Sequence, residues 1–299
     1  MRFAIWPGPN NPWSDTLAIA RHAEQTGWHS VYYADHFMPN AADTSGPTSE
    51  CWTTLAALAA AVPRVRIGAL VSGNTYRHPA VLAKMAANVD NISGGRCVLG
   101  LGAGWQENEH RAYGIPFYTL GGRMSRFEEA CQVITSLLAN EKSNFQGKHY
   151  QLTDAPLAPK PVQNPLPLLI GGGGEQRTLR IAAKYANEWN VWGTPEVLAH
   201  KGAILNRYCE EIGRDPKEIK HSCQGMLVMT DDKDAVERMK ASGRPVIGGD
   251  APAIRATIEQ YAEAGVDEVI IPAFGLGRTA ADTMAVMDRF ADGVMAHFK

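Results

Sequence analysis

Short apolar runs rich in β-branched and aromatic residues recur along the chain, separated by longer segments with helical periodicity. Residues 2–6 (RFAIW), 30–34 (SVYYA), 66–71 (RIGALV), 97–101 (CVLGL), 167–170 (PLLI), 189–192 (WNVW), 224–229 (QGMLVM) and 268–272 (EVIIP) make eight such runs. Most are nearly continuous in apolar residues, the pattern of parallel strands covered on both faces. The spacing between them predicts helices over 15–26, 50–62, 79–91, 123–139, 176–186, 195–212, 233–241, 252–264 and 279–297. Ser14 is the expected N-cap of the first helix and Gly27 its stop. Pro79 suits the first helical position of the third. The segments AEQTGWHSV and AEAGVDEV repeat one passage from helix through glycine to strand. Eight β/α units in 299 residues predict an α/β fold, a single (β/α)8 TIM barrel over residues 1–299. A doubly wound open sheet is the structural rival.

One connection is much longer than the others. About residues 105–165 form an insertion between strands four and five, carrying the 123–139 helix and a Pro-rich tail. Within it FQGKHYQL predicts a β-hairpin turning near Gly147. A long loop after a barrel strand lies on the face where barrel chemistry sits, so it is expected to wall the site.

Composition removes several classes. The chain has 29 basic and 31 acidic residues, a net charge of -2, and no basic stripe for nucleic acid. No apolar run reaches the roughly 18 residues of a membrane span. The start, MRFAIWPGPNNPW, does not read as a signal peptide. Five cysteines, Cys51, Cys97, Cys131, Cys209 and Cys223, are an odd number with no CxxC. Reduced thiols in a cytoplasm are expected.

Candidate chemistry gathers at the strand ends. Asp35-His36 follows the second strand, where an imidazole serves as acid or base and a neighbouring carboxylate orients it. A turn with a surface histidine is the other reading. Leu70-Val71-Ser72-Gly73-Asn74-Thr75 follows the third strand and suggests a bulge against which a flat ring packs, or else an ordinary loop. Gly100-Leu101-Gly102-Ala103-Gly104-Trp105 is half a dinucleotide fingerprint but lacks a helix starting cleanly after Gly104, so a Rossmann reading is rejected. Its glycines are expected to let a cofactor or substrate approach closely. Gly171-Gly172-Gly173-Gly174 follows a buried strand and opens a helix, which reads as a phosphate loop with Arg177 and Arg180 adding charge. His78, His110 and His149 with Glu107 and Glu109 make no metal set. Glu107-x-Glu109-His110 is expected in a loop and most of these residues on the surface. Trp6, Trp105 and Trp192 at strand tips pack, or converge as an apolar pocket.

Taken in order, these segments resemble the bacterial-luciferase-like flavin and deazaflavin oxidoreductases. The residues that carry the resemblance are Ala34-Asp35-His36-Phe37, Trp52 to Ala59, Thr75 to Lys84, Ser93-Gly94-Gly95-Arg96, Gly100 to Trp105, Glu109 to Gly114 and the tetraglycine run. They span residues 1–195. The resemblance implies a barrel holding a ring cofactor at its C-terminal mouth, usually in a homodimer, and is nearest the branch using coenzyme F420, with FMN as the alternative. It implies a non-prolyl cis peptide within Leu70-Val71-Ser72 and cofactor contacts from Asp35, Asn74, Thr75, Gly102, Ala103, Gly104, the tetraglycine run and Arg177. It also implies His36 as acid/base, with Asp35 beside it, and a substrate pocket of Trp6, Glu50, Trp105 and Trp192. Sugar-phosphate dehydrogenases of that group carry a carboxylate where this chain has Trp105, which favours a more apolar substrate.

The expected activity is F420-dependent hydride transfer to or from a small organic molecule. An FMN-dependent monooxygenase using O2 is the first rival. A non-redox lyase or isomerase of a phosphorylated substrate is the second, and a non-catalytic flavin-binding protein the third. No lysine stands at a strand end to support a Schiff-base aldolase. A metal, a nucleic acid and a membrane are not expected as partners.

Overall fold

The computed structural model describes residues 1–298; Lys299 lies outside the described residues. Eight parallel strands close on themselves: β1 (Arg2–Trp6), β2 (Ser30–Tyr33), β3 (Arg66–Ala69), β4 (Cys97–Gly102), β5 (Leu168–Gly171), β6 (Glu188–Trp192), β7 (Lys220–Gln224) and β8 (Glu268–Pro272). Neighbours around the barrel run β3-β2-β1-β8-β7-β6-β5-β4, and Ile67 and Gly68 of β3 pair with Cys97 and Val98 of β4 to close it. After a break at residues 70–71, Ser72–Gly73 rejoins the sheet against Leu101 and Gly102. The open-sheet rival is excluded by this closure.

Each strand feeds a helix that covers the barrel. These are Trp13–Gln25, Cys51–Ala61, Pro79–Ser93, Leu120–Ala139, Thr178–Tyr185, Pro195–Glu211, Ala251–Glu263 and Ala280–Gly293. Ile19, Leu55, Leu82, Phe127, Leu179, Leu205, Ile258 and Phe290 lie buried between helices and strands. Inside the barrel, Ala4, Tyr32, Leu70, Val98, Leu169 and Ile270 make a separate apolar plug. Below it, at the N-terminal end, the buried Glu268 accepts from Ser30 Oγ at 2.7 Å and Tyr32 OH at 3.1 Å. Arg66 pairs with Glu188 there at 2.5 Å. Functional groups are therefore left to the opposite mouth. All five cysteines are free and buried. Among the described residues no helix is long and apolar enough to cross a membrane.

Three local readings are corrected. The seventh barrel strand is Lys220–Gln224, whereas Met226–Met229 pairs outside the barrel with Val246–Gly249. The more apolar run misleads because the true strand turns polar groups inward: Ser222 Oγ accepts from Asn190 Nδ2 at 2.9 Å. Ser14 does not cap the first helix, which starts at Trp13 after Pro12 without a side-chain cap. Glu107–Ala112 is helix rather than loop, and Glu109 and His110 are fully buried. The hairpin at Lys142–Gln146 and Gln151–Pro156 turns at Gly147 as expected, Gly147 donating to the Tyr150 carbonyl at 2.9 Å. The connection from β4 to β5 thus holds two helices and this hairpin.

Candidate active site

The strand ends open into a cavity of about 570 Å³, within the range that encloses ring-sized ligands. Strand order divides its wall into two sides. Val71, Gly102, Gly171 and Gly172 come from the β3–β4–β5 side. Trp6, Trp192 and Gln224 come from the β1–β7–β6 side. Asp35 and His36, after β2, stand where the two meet.

The first side is a shelf built around Val71, which follows a cis peptide bond from Leu70. Ser72 Oγ accepts from the buried Trp52 Nε1 at 2.9 Å and ties the shelf to the scaffold. Glycines surround Val71 because side chains would collide with it. A Cβ at Gly102 would lie 2.9 Å from Val71 Cγ2, and one at Gly171 would lie 2.8 Å away. At Gly100 it would lie 1.9 Å from the Ala69 carbonyl oxygen. These glycines first admit the chain's own β3 bulge, a packing role the sequence reading assigned to a ligand. Gly100→Ala is expected to destabilise the fold by about 3 kcal/mol, the upper range for overpacking, since backbone cannot step aside. Urea unfolding checks it, and a parental midpoint would show that β3 and β4 can separate.

His36 is held by Glu109. Its Nδ1 lies 2.8 Å from Glu109 Oε1, and Oε2 accepts from the Phe37 amide at 2.8 Å. The Tyr76 hydroxyl donates to the same carboxylate. Burial works to raise the Glu109 pKa, but the hydrogen bonds from His36, Phe37 and Tyr76 together hold it below its ordinary value. Burial and that carboxylate push the Tyr76 phenol far up, so it remains a donor. An ionised carboxylate only accepts, so Nδ1 carries hydrogen and Nε2 is left for proton transfer. Trp105, exposed at the mouth, sets its ring edge-on to His36 at 5.4 Å.

Asp35 does not orient His36, as the sequence suggested. Consecutive side chains in extended backbone diverge, and Asp35 meets Arg77 through two bonds of 2.6 and 3.0 Å. Arg77 also reaches Glu50 at 2.5 Å. Desolvation raises the Asp35 pKa, with Arg77 opposing. Glu50 lies outside the cavity and caps the helix Cys51–Ala61, accepting from the amides of Trp52 and Thr53 at 3.1 and 2.7 Å. Leu70, Val71, Ser72, Gly102, Ala103, Gly104, Trp6, Trp105 and Trp192 line the cavity with Asp35 and His36. Asn74 and Thr75 do not: Asn74 donates to the Tyr150 hydroxyl at 3.3 Å, and Thr75 Oγ1 meets His110 Nε2 at 2.6 Å.

The tetraglycine run leaves the cavity. Gly171 and Gly172 line it, and Gly173 and Gly174 lie beyond. Gly172 has φ +123°, open to glycine alone. The Gly172 carbonyl accepts from Trp189 Nε1 at 2.9 Å and that of Gly173 from Lys201 at 2.8 Å. Among the described residues nothing accepts from the Gly173 and Gly174 amides. A Cβ on Gly173 would meet Val191 Cγ2 at 2.8 Å, so a side chain there presses on the scaffold. Arg177 is exposed and donates to the Gly121 carbonyl at 3.2 Å. Arg180 turns away to Glu211 and stacks on Tyr208.

Glu109, Tyr76, Leu120, Met124 and Gln224 are site residues that sequence reasoning missed. Glu107 and Arg111, bonded at 3.2 Å as an i,i+4 pair, were the available sign that Glu109 sits on a helix. Because Glu109 has a lower pKa folded than unfolded, its contribution to stability is complete above the ordinary value near 4.5 and disappears as pH falls through the lowered value. Wild-type urea midpoints should therefore fall more steeply than those of Glu109→Gln below about pH 5. Parallel curves would mean the carboxylate is not ionised in the folded protein.

The residues fit a ring cofactor with a phosphate-bearing tail. The shelf is apolar and bordered by glycines, and two unclaimed amides follow it at a glycine loop before a helix. The family described as luciferase-like monooxygenase matches residues 1–293. The F420-dependent glucose-6-phosphate dehydrogenase of Amycolatopsis mediterranei is 34% identical over 58% of this chain and 50% of its own length. The chain thus spans half of that relative. The coenzyme F420-dependent tetrahydromethanopterin reductase of Methanopyrus kandleri superposes with a TM-score of 0.83 at 19% identity, over 100% of this chain and 99% of its own. Monooxygenase RslO1 of Streptomyces bottropensis gives 0.85 at 20% identity, over 100% of both chains.

Proposed function

Since this chain belongs to the luciferase-like monooxygenase family, we propose that it is an F420-dependent oxidoreductase acting on a small, largely apolar organic molecule. The observation that carries the reading is the His36 imidazole held at 2.8 Å by buried Glu109, on the cavity wall beside the Val71 shelf. When bound, the coenzyme supplies hydride donation or acceptance at C5. The chain does the rest. Val71 and the adjoining glycines seat the ring face, and the Gly173 and Gly174 amides take the phosphate. Nε2 of His36 gives or takes the proton that accompanies hydride transfer, while Glu109 holds the imidazole in place through Nδ1. Trp6, Trp192, Leu120 and Met124 exclude water. Among the described residues, no lysine or arginine lines the cavity, which supports an uncharged substrate over a sugar phosphate. The reading includes a cytoplasmic homodimer with no nucleic-acid or membrane partner.

Titration of the purified protein with F420 and with FMN tests it, followed by quenching of tryptophan fluorescence. F420 is expected to bind in the micromolar range or tighter, and FMN more weakly. Tight FMN binding without a response to F420 would move the protein to the O2-using monooxygenases.

A further inference from the structure

Two side-chain donors grip the tetraglycine loop by its carbonyls. Trp189 Nε1 donates to the Gly172 carbonyl at 2.9 Å, and Lys201 Nζ to the Gly173 carbonyl at 2.8 Å. Trp189 is fully buried on β6, and Lys201 stands on the helix Pro195–Glu211 that follows it. Trp189 and Val191, two positions apart, share one face of β6. Val191 Cγ2 lies 2.8 Å from the Cβ position of Gly173, and Lys201 Cδ and Cε lie 3.1 Å from it. Both carbonyls are therefore drawn to one side of the loop, the side of β6 and its helix. The 172–173 and 173–174 peptide bonds are trans. A trans peptide is planar, and its carbonyl and N–H point in opposite directions. Fixing the two carbonyls on the β6 side thus turns the Gly173 and Gly174 amides to the other side, where nothing among the described residues accepts from them. Glycine peptides are otherwise free to turn, and ordering them at the moment of binding costs affinity. Glu175 Oε1, 3.0 Å from Lys201 Nζ, anchors the ammonium in turn.

We infer that Trp189 and Lys201 are positioning residues that aim the Gly173 and Gly174 amides at an anion, and so make the site prefer a phosphate-bearing cofactor to its bare ring. The inference rests on the reading of this loop as the phosphate site. Lys201 acts through the Gly173 carbonyl, on the face of the peptide turned away from the anion, and its charge is answered by Glu175.

Two ligand pairs test this by tryptophan-fluorescence quenching: F420 against its deazaflavin-ribityl fragment without the phosphate, and FMN against riboflavin. The quantity read is the affinity ratio within a pair, in which changes in ring contacts or in fold stability cancel. Titrations at about 0.5 M salt screen through-space charge, so the ratio reports amide geometry. In Lys201→Met the ratio is expected to fall by about tenfold, the worth of one hydrogen bond to a charged group. Trp189→Phe keeps a buried ring, removes the donor without changing charge, and should lower the ratio in the same direction. Lys201→Arg still donates to the carbonyl and should recover part of the loss. Should Trp189→Phe fail to fold, the two Lys201 variants decide. A parental ratio in either Lys201→Met or Trp189→Phe would overturn the inference and leave the loop as the phosphate site. A wild type with no preference in either pair would overturn the inference together with the phosphate reading. If only the FMN pair binds and its ratio falls in the variants, the F420 reading fails and the positioning role stands.

Discussion

Replacing His36 with alanine is expected to lower turnover by roughly 10²–10⁴-fold, the usual worth of a positioned acid or base. F420 affinity and thermal stability should stay close to the parental values. The expectation follows from geometry. Nδ1 is committed to Glu109, and the side chain lines the cavity beside the shelf. On the proposed reading, its removal would leave hydride transfer without a partner for the accompanying proton. F420 fluorescence follows turnover once the wild type has been screened against small alcohols and ketones, and tryptophan quenching gives the cofactor dissociation constant. If instead the dissociation constant rises and turnover at saturation holds, His36 packs against the ring and does no proton transfer. Glu109→Gln should fall between His36→Ala and the parent, because a neutral amide still bonds Nδ1 but holds the imidazole by a weaker, uncharged hydrogen bond.

Arg77→Met is expected to destabilise the protein by about 3–5 kcal/mol, the cost of leaving a buried ion without its partner. Asp35 is almost wholly buried, and Arg77 supplies the hydrogen bonds that hold its charge. Without Arg77, desolvation raises the Asp35 pKa further. A carboxyl whose folded pKa lies above its unfolded value destabilises most at high pH, and the penalty shrinks as falling pH protonates it. Urea midpoints of Arg77→Met should therefore approach those of the wild type between neutral and mildly acidic pH. Adding Asp35→Asn should recover part of the loss at neutral pH. A single variant as stable as the parent would show that Asp35 is solvated or protonated, contrary to its burial against Arg77.

The sequence was a good guide where physics is local. The apolar runs located seven of the eight barrel strands, because a strand covered on both faces must be apolar almost throughout. Helix spans followed from periodicity and from stops such as Gly27, which has φ +85° in the structure. The same rule failed at β7, where a strand that turns Ser222 and Gln224 inward looks too polar to be a barrel strand. Its apolar neighbour Met226–Met229 looked better and lies outside the barrel.

Partner choice within the site was out of reach. Asp35 is next to His36 in sequence, yet His36 meets Glu109, 73 positions away, and Asp35 meets Arg77, 42 positions away. Glycines at Gly100, Gly102 and Gly171 announced a close approach, but their spacing could not say that the approaching group is the chain's own Val71 and Ala69. The sequence alone determined the repeating β/α units, and with them the end of the barrel on which the chemistry gathers, since both depend on patterns within one turn or one strand. The tertiary structure alone decided which carboxylate holds the histidine and which donors hold the glycine loop. Those outcomes depend on closing the sheet, which sets separate β/α units side by side.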